Sequence, residues 1–189
     1  MKKYKLLYLV SEDEYFLSHK IDQAKFALNN NFEVLVVCKF SNSEKTIKSH
    51  GFKTKNINFN RRSVNPFTEV LCLLRFIMIV FDFKPDIIQS VALKPILYTA
   101  IISPLIRKTN IVLCVVGLGY LFINKSQLIK VLKNIFFKLV SFFLVRNKFF
   151  FIFQNKEDQQ IFKESGITKQ SKTIIIEGSG VDTKKFVKK

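Results

Sequence analysis

The strongest constraint in this chain is an alternation. Short, nearly continuous apolar runs take turns with longer segments of helical period. Residues 4–10 read Y-K-L-L-Y-L-V, 33–39 read E-V-L-V-V-C-K and 86–90 read D-I-I-Q-S. Residues 110–116 read N-I-V-L-C-V-V, 148–153 read K-F-F-F-I-F and 172–176 read K-T-I-I-I. Runs that are apolar at consecutive positions suit strands buried on both faces. A weaker extended segment lies within 51–59. Between these runs the spacing predicts helices over 18–30, 67–83, 94–107, 126–146 and 156–165. Asn65 and Pro66 form a start signal for the second of these, and Lys84-Pro85 a stop signal. Pro95 is tolerated in a first turn, whereas Pro104 ends or kinks its helix. Strands alternating with helices imply right-handed crossovers, hence an α/β fold: a Rossmann-like parallel sheet with helices on both faces.

A sheet of this kind binds ligands beyond the carboxyl ends of its strands. That rule selects six loops, at 11–16, 40–43, 90–94, 117–122, 155–158 and 178–182. The first carries Ser11, Glu12, Asp13, Glu14 and Phe16, with His19 in the helix beyond. It lacks G-x-G-x-x-G, which disfavours ordinary dinucleotide binding. Its carboxylates sit where a base could take a proton from an acceptor hydroxyl, and equally where a helix dipole favours acidic residues. Gly117, Leu118 and Gly119 follow a buried strand; glycines there permit close backbone approach to a ligand, or simply a tight turn.

With 189 residues and 48% apolar composition, the chain is long enough for one large folded domain. Cys38, Cys72 and Cys114 are far apart, odd in number and set in apolar runs, which suits buried thiols rather than disulfides or a zinc site. Acidic residues follow the amino-terminal apolar run too closely for a signal peptide, and Arg75 breaks the longest apolar helix. The formal net charge of +17 points to an anionic partner: nucleic acid, membrane or phosphate-bearing substrate. A lysine- and asparagine-rich codon bias accounts for part of that charge. Nucleic acid is disfavoured, because the aromatics lie in apolar runs and no helix-turn-helix or RNP pattern is present. The helix over 126–146 gathers Gln127, Lys130, Lys133, Asn134, Lys138 and Ser141 on one arc, and its apolar face is wider than burial in a core requires. A basic amphipathic helix suits an anionic membrane surface.

Several phrases in order carry a resemblance. They are Ser11-Glu12-Asp13-x-Tyr15-Phe16-x-Ser18-His19, Arg62-Ser63-x-Asn65-Pro66, Pro85-Asp86-Ile87-Ile88, Lys94-Pro95, Gly117-Leu118-Gly119-Tyr120, Phe153-Gln154-Asn155 and Gly178-Ser179-Gly180-Val181-Asp182. In this order and spacing the chain resembles the amino-terminal domain of bacterial family 4 glycosyltransferases of the GT-B fold. The resemblance implies one half of a GT-B architecture, with an acceptor-binding domain over 1–177. Residues 178–189 would begin the connection to a second, donor domain. It implies retaining transfer of a sugar from a nucleotide sugar to a lipid-linked or polysaccharide acceptor in envelope biosynthesis. It implies no metal and no cofactor beyond the nucleotide-sugar substrate. The protein would work in the cytoplasm, peripherally at the inner face of the membrane. By motif position, Ser11, Glu12, Asp13, Phe16, His19 and Lys94 would border the acceptor, with Asp13 and His19 as candidate catalytic groups. Gly117, Leu118 and Gly119 would approach the donor phosphates. Gly178, Gly180, Val181 and Asp182 would form the interdomain hinge. The family often has His where Gln89 stands, and some members have one near Val116 or Gly117, so the resemblance assigns no base. Lacking a donor domain, the chain is expected to be inactive alone, or to pair with a separately encoded donor domain. The competing expectation is a non-catalytic, basic membrane-surface binding module.

Overall fold

The computed structural model describes residues 3–59, 65–118, 127–144, 149–169 and 171–178. The apolar runs form the strands β1 (Tyr4–Glu12), β2 (Phe32–Lys39), β3 (Lys53–Asn56), β4 (Ile87–Val91), β5 (Asn110–Val115), β6 (Phe149–Phe153) and β7 (Lys172–Ile175). All pair in parallel, in the order β3-β2-β1-β4-β5-β6-β7. β1 lies inside the sheet, between β2 and β4, and its side chains alternate between two separate cores. Leu7 and Leu9 enter one, Leu6, Tyr8 and Val10 the other. A strand feeding two cores cannot afford a polar face, which is why its sequence is apolar nearly throughout.

The helices divide between those cores. On one side lie α1 (Asp13–His19), α2 (Ile21–Asn29) and α3 (Glu44–Ser49), contributing Phe16, Ala24, Ala27 and Ile47. On the other lie α4 (Pro66–Phe83), α5 (Leu93–Ile102), α6 (Gln127–Leu144) and α7 (Lys156–Glu164), contributing Phe76, Ile96, Val140 and Phe162 among others. The Rossmann-like expectation is therefore met.

Local signals operate as the sequence suggests. Asn65 caps α4 by accepting from the Phe67 amide at 3.0 Å, and Lys84 closes it in the left-handed region before Pro85. After α5 a 3₁₀ turn, Ser103–Leu105, carries Pro104. Asn155 caps α7, accepting from the Asp158 amide at 2.7 Å. At the amino edge of the sheet, Asp86 Oδ2 accepts from the Lys5 amide at 2.8 Å, and Lys5 Nζ donates to the Phe83 carbonyl at 3.0 Å. Pro85-Asp86 is thus a clamp that joins β1 to the end of α4 at the amino edge of the sheet.

One expectation needs correction. The single helix over 18–30 is two helices broken at Lys20, and α1 starts immediately after β1. The six-residue α3 ends with His50 as its C-cap, before Gly51, where the sequence shows a helix end, but its start carries little signal because Ile47 is its one buried residue.

Candidate functional site

Strand order reverses between β1 and β4. Their following helices lie on opposite faces, and a switch of this kind is where such a fold ordinarily opens a crevice at the carboxyl edge. The register Leu9 to Ser90 sets the loop after β1 beside the loop after β4. The sequence had selected both.

Ser11 is buried at the end of β1, and among the described residues its hydroxyl has no hydrogen-bond partner. A buried hydroxyl in a ligand crevice is a group that a ligand or a water can satisfy. Glu12 beside it is half-buried and precedes α1.

Asp13 is placed differently from expectation. Its side chain is fully buried. Oδ2 accepts from the amides of Ser41 at 2.9 Å, Asn42 at 3.2 Å and Ser43 at 2.9 Å, and Oδ1 from the Glu14 amide at 3.0 Å. Burial raises its pKa, and the four amides more than offset this, holding the carboxyl below its ordinary range. A carboxylate occupied and stabilised in this way is a poor proton acceptor. Its geometry is that of a latch between the loop after β1 and the loop after β2.

Phe16, expected to border an acceptor, is fully buried and packs edge-on against Tyr8 and Phe52, with centroids 5.6 and 5.9 Å away. It supports the first loop from beneath and does not face the crevice. His19 lies at the far end of α1 from Asp13, roughly 9 Å along the axis. It is exposed, stacks on Tyr15 at 4.3 Å, and its Nδ1 is 2.6 Å from Ser18 Oγ. The structure therefore does not bring His19 to the end of β1.

On the β4 side, Lys94 opens α5 and pairs with Glu69 of α4, Nζ to Oε1 at 2.6 Å. The second oxygen of Glu69 accepts from the Tyr98 hydroxyl at 2.7 Å. Burial, then the Glu69 carboxylate, push the Tyr98 phenol well above its usual range. Glu69 and Tyr98 escaped the sequence reading. The signal available was the pair Lys94 and Tyr98, one helical turn apart, facing the first turn of α4.

Ala92, which starts α5, was also missed. Its backbone lies at φ 79 and ψ 163, a region nearly exclusive to glycine. It is held there because its amide donates to the Cys114 carbonyl at 3.1 Å and its own carbonyl accepts from the Ile96 amide at 3.0 Å. Beneath it the buried pair Ser90 and Thr99, oxygens 2.6 Å apart, ties α5 to β4. Ala92→Gly is expected to stabilise the fold by about 1 kcal/mol, relief of strain outweighing the added freedom of the unfolded chain. Urea unfolding checks this; a lower midpoint for the variant would contradict the strain.

Gly117 has φ 98, so glycine is required there by the backbone, and a Cβ would meet nothing within 4 Å. Among the described residues the Cβ direction of Gly117 is unobstructed, and Leu118 after it is buried. Gly178, with φ 70, is exposed after β7. Gly119, Gly180, Val181, Asp182, Arg62 and Ser63 lie outside the described residues. The three cysteines are buried, and among the described residues no group of three His, Cys, Asp or Glu could hold a metal ion.

Comparison with known proteins gives the same fold. The Rickettsia africae glycosyltransferase structure superposes with a TM-score of 0.62 at 16% identity, covering 94% of this chain and 43% of that one. HepE of Anabaena, solved in complex with UDP and glucose, superposes with a TM-score of 0.63 at 16% identity, covering 96% of this chain and 46% of that one. At such identity the likeness speaks to the fold, that of one half of a GT-B enzyme. In sequence, the chain is 26% identical over 157 residues to the N,N'-diacetylbacillosaminyl-diphospho-undecaprenol alpha-1,3-N-acetylgalactosaminyltransferase of Campylobacter jejuni. That match takes in 82% of this chain and 40% of the relative, so the chain spans about two fifths of the curated relative's length. Residues 5–155 match the family described as glycosyl transferase 4-like. The chain belongs to the glycosyl transferase 4-like family.

Proposed function

We propose that this domain is the acceptor side of a glycosyltransferase that moves a sugar from a nucleotide sugar to a lipid-linked acceptor at an anionic membrane surface. The observation that carries the reading is the gathering of the loops after β1, β4 and β5 at one sheet edge, in a chain of this family. The Campylobacter relative, named for transfer to a sugar on diphospho-undecaprenol, supports a lipid diphosphate acceptor. HepE, solved with UDP and glucose, supports a nucleotide-sugar donor.

In this reading residues 1–177 form the acceptor domain, and the segment from Gly178 onward leads toward the donor side. The acceptor oxygen forms the new bond to the sugar, the sugar's bond to the donor diphosphate breaks, and the departing diphosphate, which keeps the electron pair and takes up the hydroxyl proton, needs electrostatic stabilisation. Ser11 offers a buried hydroxyl to the acceptor, and the ion pair of Lys94 with Glu69 borders it on the β4 side. Asp13 and Phe16 position the first loop. The 189-residue chain by itself is expected to transfer no sugar from UDP-sugars to polyprenyl-diphosphate sugars, because the donor pocket belongs to the other half of the enzyme. A donor half supplied as a separate polypeptide is expected to restore transfer. Repeated turnover by the chain alone would overturn this division of labour.

The membrane part of the reading is supported by two helices. α4 exposes Phe67, Val70, Leu71, Leu74, Met78 and Phe81, one continuous stripe at steps of three and four. α6 exposes Val131, Ile135, Leu139 and Phe142, beside the exposed Lys138. Both helices belong to the same side of the sheet, with α5 between them. Contiguous exposed apolar surface of this extent marks an interaction face. Among the described residues no helix is long and apolar enough to cross a membrane. Contact along the surface of the bilayer is therefore the form proposed.

A further inference from the structure

Lys20 sits at the break between α1 and α2. Its amide donates to the Phe16 carbonyl at 2.8 Å and its carbonyl accepts from the Ala24 amide at 3.0 Å, so the backbone needs no lysine there. A lysine at such a junction ordinarily points to water. This one is only 6% exposed. Among the described residues its ammonium has no carboxylate partner and no hydrogen-bond partner. It lines a cavity of about 20 Å³ together with Gln23, Cys114, Val116, Gln154 and Gly178.

Lys20 and Gln23 come from the start of α2, whereas Cys114, Val116, Gln154 and Gly178 lie at or just past the carboxyl ends of β5, β6 and β7, on the edge where this fold takes ligands. The cavity holds about one water. An ammonium has three protons to place, and the neutral amides and thiol around it supply no counter-charge. A buried cation without a counter-ion is costly, and that cost is relieved when an anion arrives. The neighbouring turn is suited to receive one. Val116 leads into Gly117, whose positive φ and, among the described residues, open Cβ direction let an anion approach its backbone.

We propose that Lys20 is the cationic side of an anion site at the mouth of this cavity, taking a phosphate or diphosphate group. Two sources share that chemistry: the nucleotide sugar and the lipid diphosphate. The choice of probes rests on the functional reading above, but the site itself does not require that the chain transfer sugar.

The test uses the full chain and its Lys20→Met and Lys20→Arg variants, with thermal unfolding and calorimetric titration of inorganic pyrophosphate. Wild type is expected to bind pyrophosphate and to gain thermal stability from it. Lys20→Met is expected to melt higher than wild type without anion, having lost a buried charge that has no counter-ion among the described residues. It is also expected to bind pyrophosphate at least tenfold more weakly. Lys20→Arg, which keeps the charge, is expected to retain binding. Should Lys20→Met not fold, Lys20→Gln carries the same comparison. Competition by UDP or by a polyprenyl diphosphate in detergent micelles identifies the source. Pyrophosphate binding that is equal in wild type and the neutral variant, or absent from both, overturns the site. Because no sugar transfer is read, failure here and failure of the transferase reading remain separate results.

Discussion

Asp13→Ala is expected to destabilise the fold by about 3 kcal/mol, the largest single-residue effect anticipated in this domain. The change removes one carboxylate and strands several amides. Ser41, Asn42, Ser43 and Glu14 all direct their N–H groups at Asp13, and the first three belong to a loop nearly thirty residues away. No alanine atom can accept those bonds, and water can replace only part of them, because Asp13 itself is buried while Ser41 and Asn42 are exposed. Asp13→Asn keeps one acceptor oxygen but aims an NH₂ group at amides that also donate, so it is expected to lie between wild type and alanine.

The same latch gives a pH signature with a defined sign. The carboxyl titrates below its ordinary value when folded. Its contribution is therefore complete above the unfolded-state value, about 3.9. It is lost as pH falls through the lower folded-state value. Wild type should lose stability on acidification through that window, and Asp13→Asn should show a shallower fall. Urea midpoints measured over that range check both statements. An Asp13→Ala protein as stable as wild type, or an unchanged acid profile in Asp13→Asn, would remove the latch from the account. A catalytic base would behave differently: its removal would abolish turnover and leave the midpoint nearly unmoved.

That contrast shows where sequence reasoning reaches its limit in this chain. The strands were legible because β1, β2, β4, β5 and β6 are each buried on two faces, which forces apolar residues at consecutive positions. The start and end of α4 were legible because Asn65, Pro66 and Pro85 act on their immediate neighbours. The loop after β1 lies at the carboxyl edge of the sheet, as the alternation of strands and helices requires, but the role of Asp13 was not readable. Its partners are set by the packing of β2 beside β1, a contact between residues 28 to 30 positions apart. Lys20 was invisible for a related reason. A lysine between two helices reads as a solvated residue until the helices fold back over the ends of β5 and β6. The outer stripe of α4 was hidden by the helix's own composition. With apolar residues nearly all round, it reads as a helix buried in a core. Its place at the margin of the sheet leaves one side open.

That open side carries the second large effect. Leu71→Gln, Leu74→Gln and Met78→Gln together are expected to weaken binding to vesicles of phosphatidylglycerol and phosphatidylethanolamine by at least tenfold. All three side chains are already more than half exposed, so the fold should tolerate the change. Inserting them into a bilayer interface would remove on the order of 200 Å² of apolar surface from water. At ~25 cal/mol per Å² this is an upper limit of about 5 kcal/mol, well above the ~1.4 kcal/mol that a tenfold loss requires. Phe142→Gln, on the parallel stripe of α6, is expected to add to the loss. Binding should also weaken with salt and with neutral vesicles, since the chain carries a formal net charge of +17. Undiminished cosedimentation of the triple variant would remove α4 from the membrane face, and an absence of wild-type binding at low salt would remove the face altogether. The direction of α4 gives this contact a functional meaning. Its first turn, with Phe67 exposed and Glu69 bonded to Lys94 and Tyr98, lies at the carboxyl edge of the sheet, and its last turn lies at the amino edge. A bilayer lying along the stripe would therefore meet the domain beside the crevice between β1 and β4. A lipid-anchored acceptor could then reach Ser11 and Lys94 without leaving the membrane.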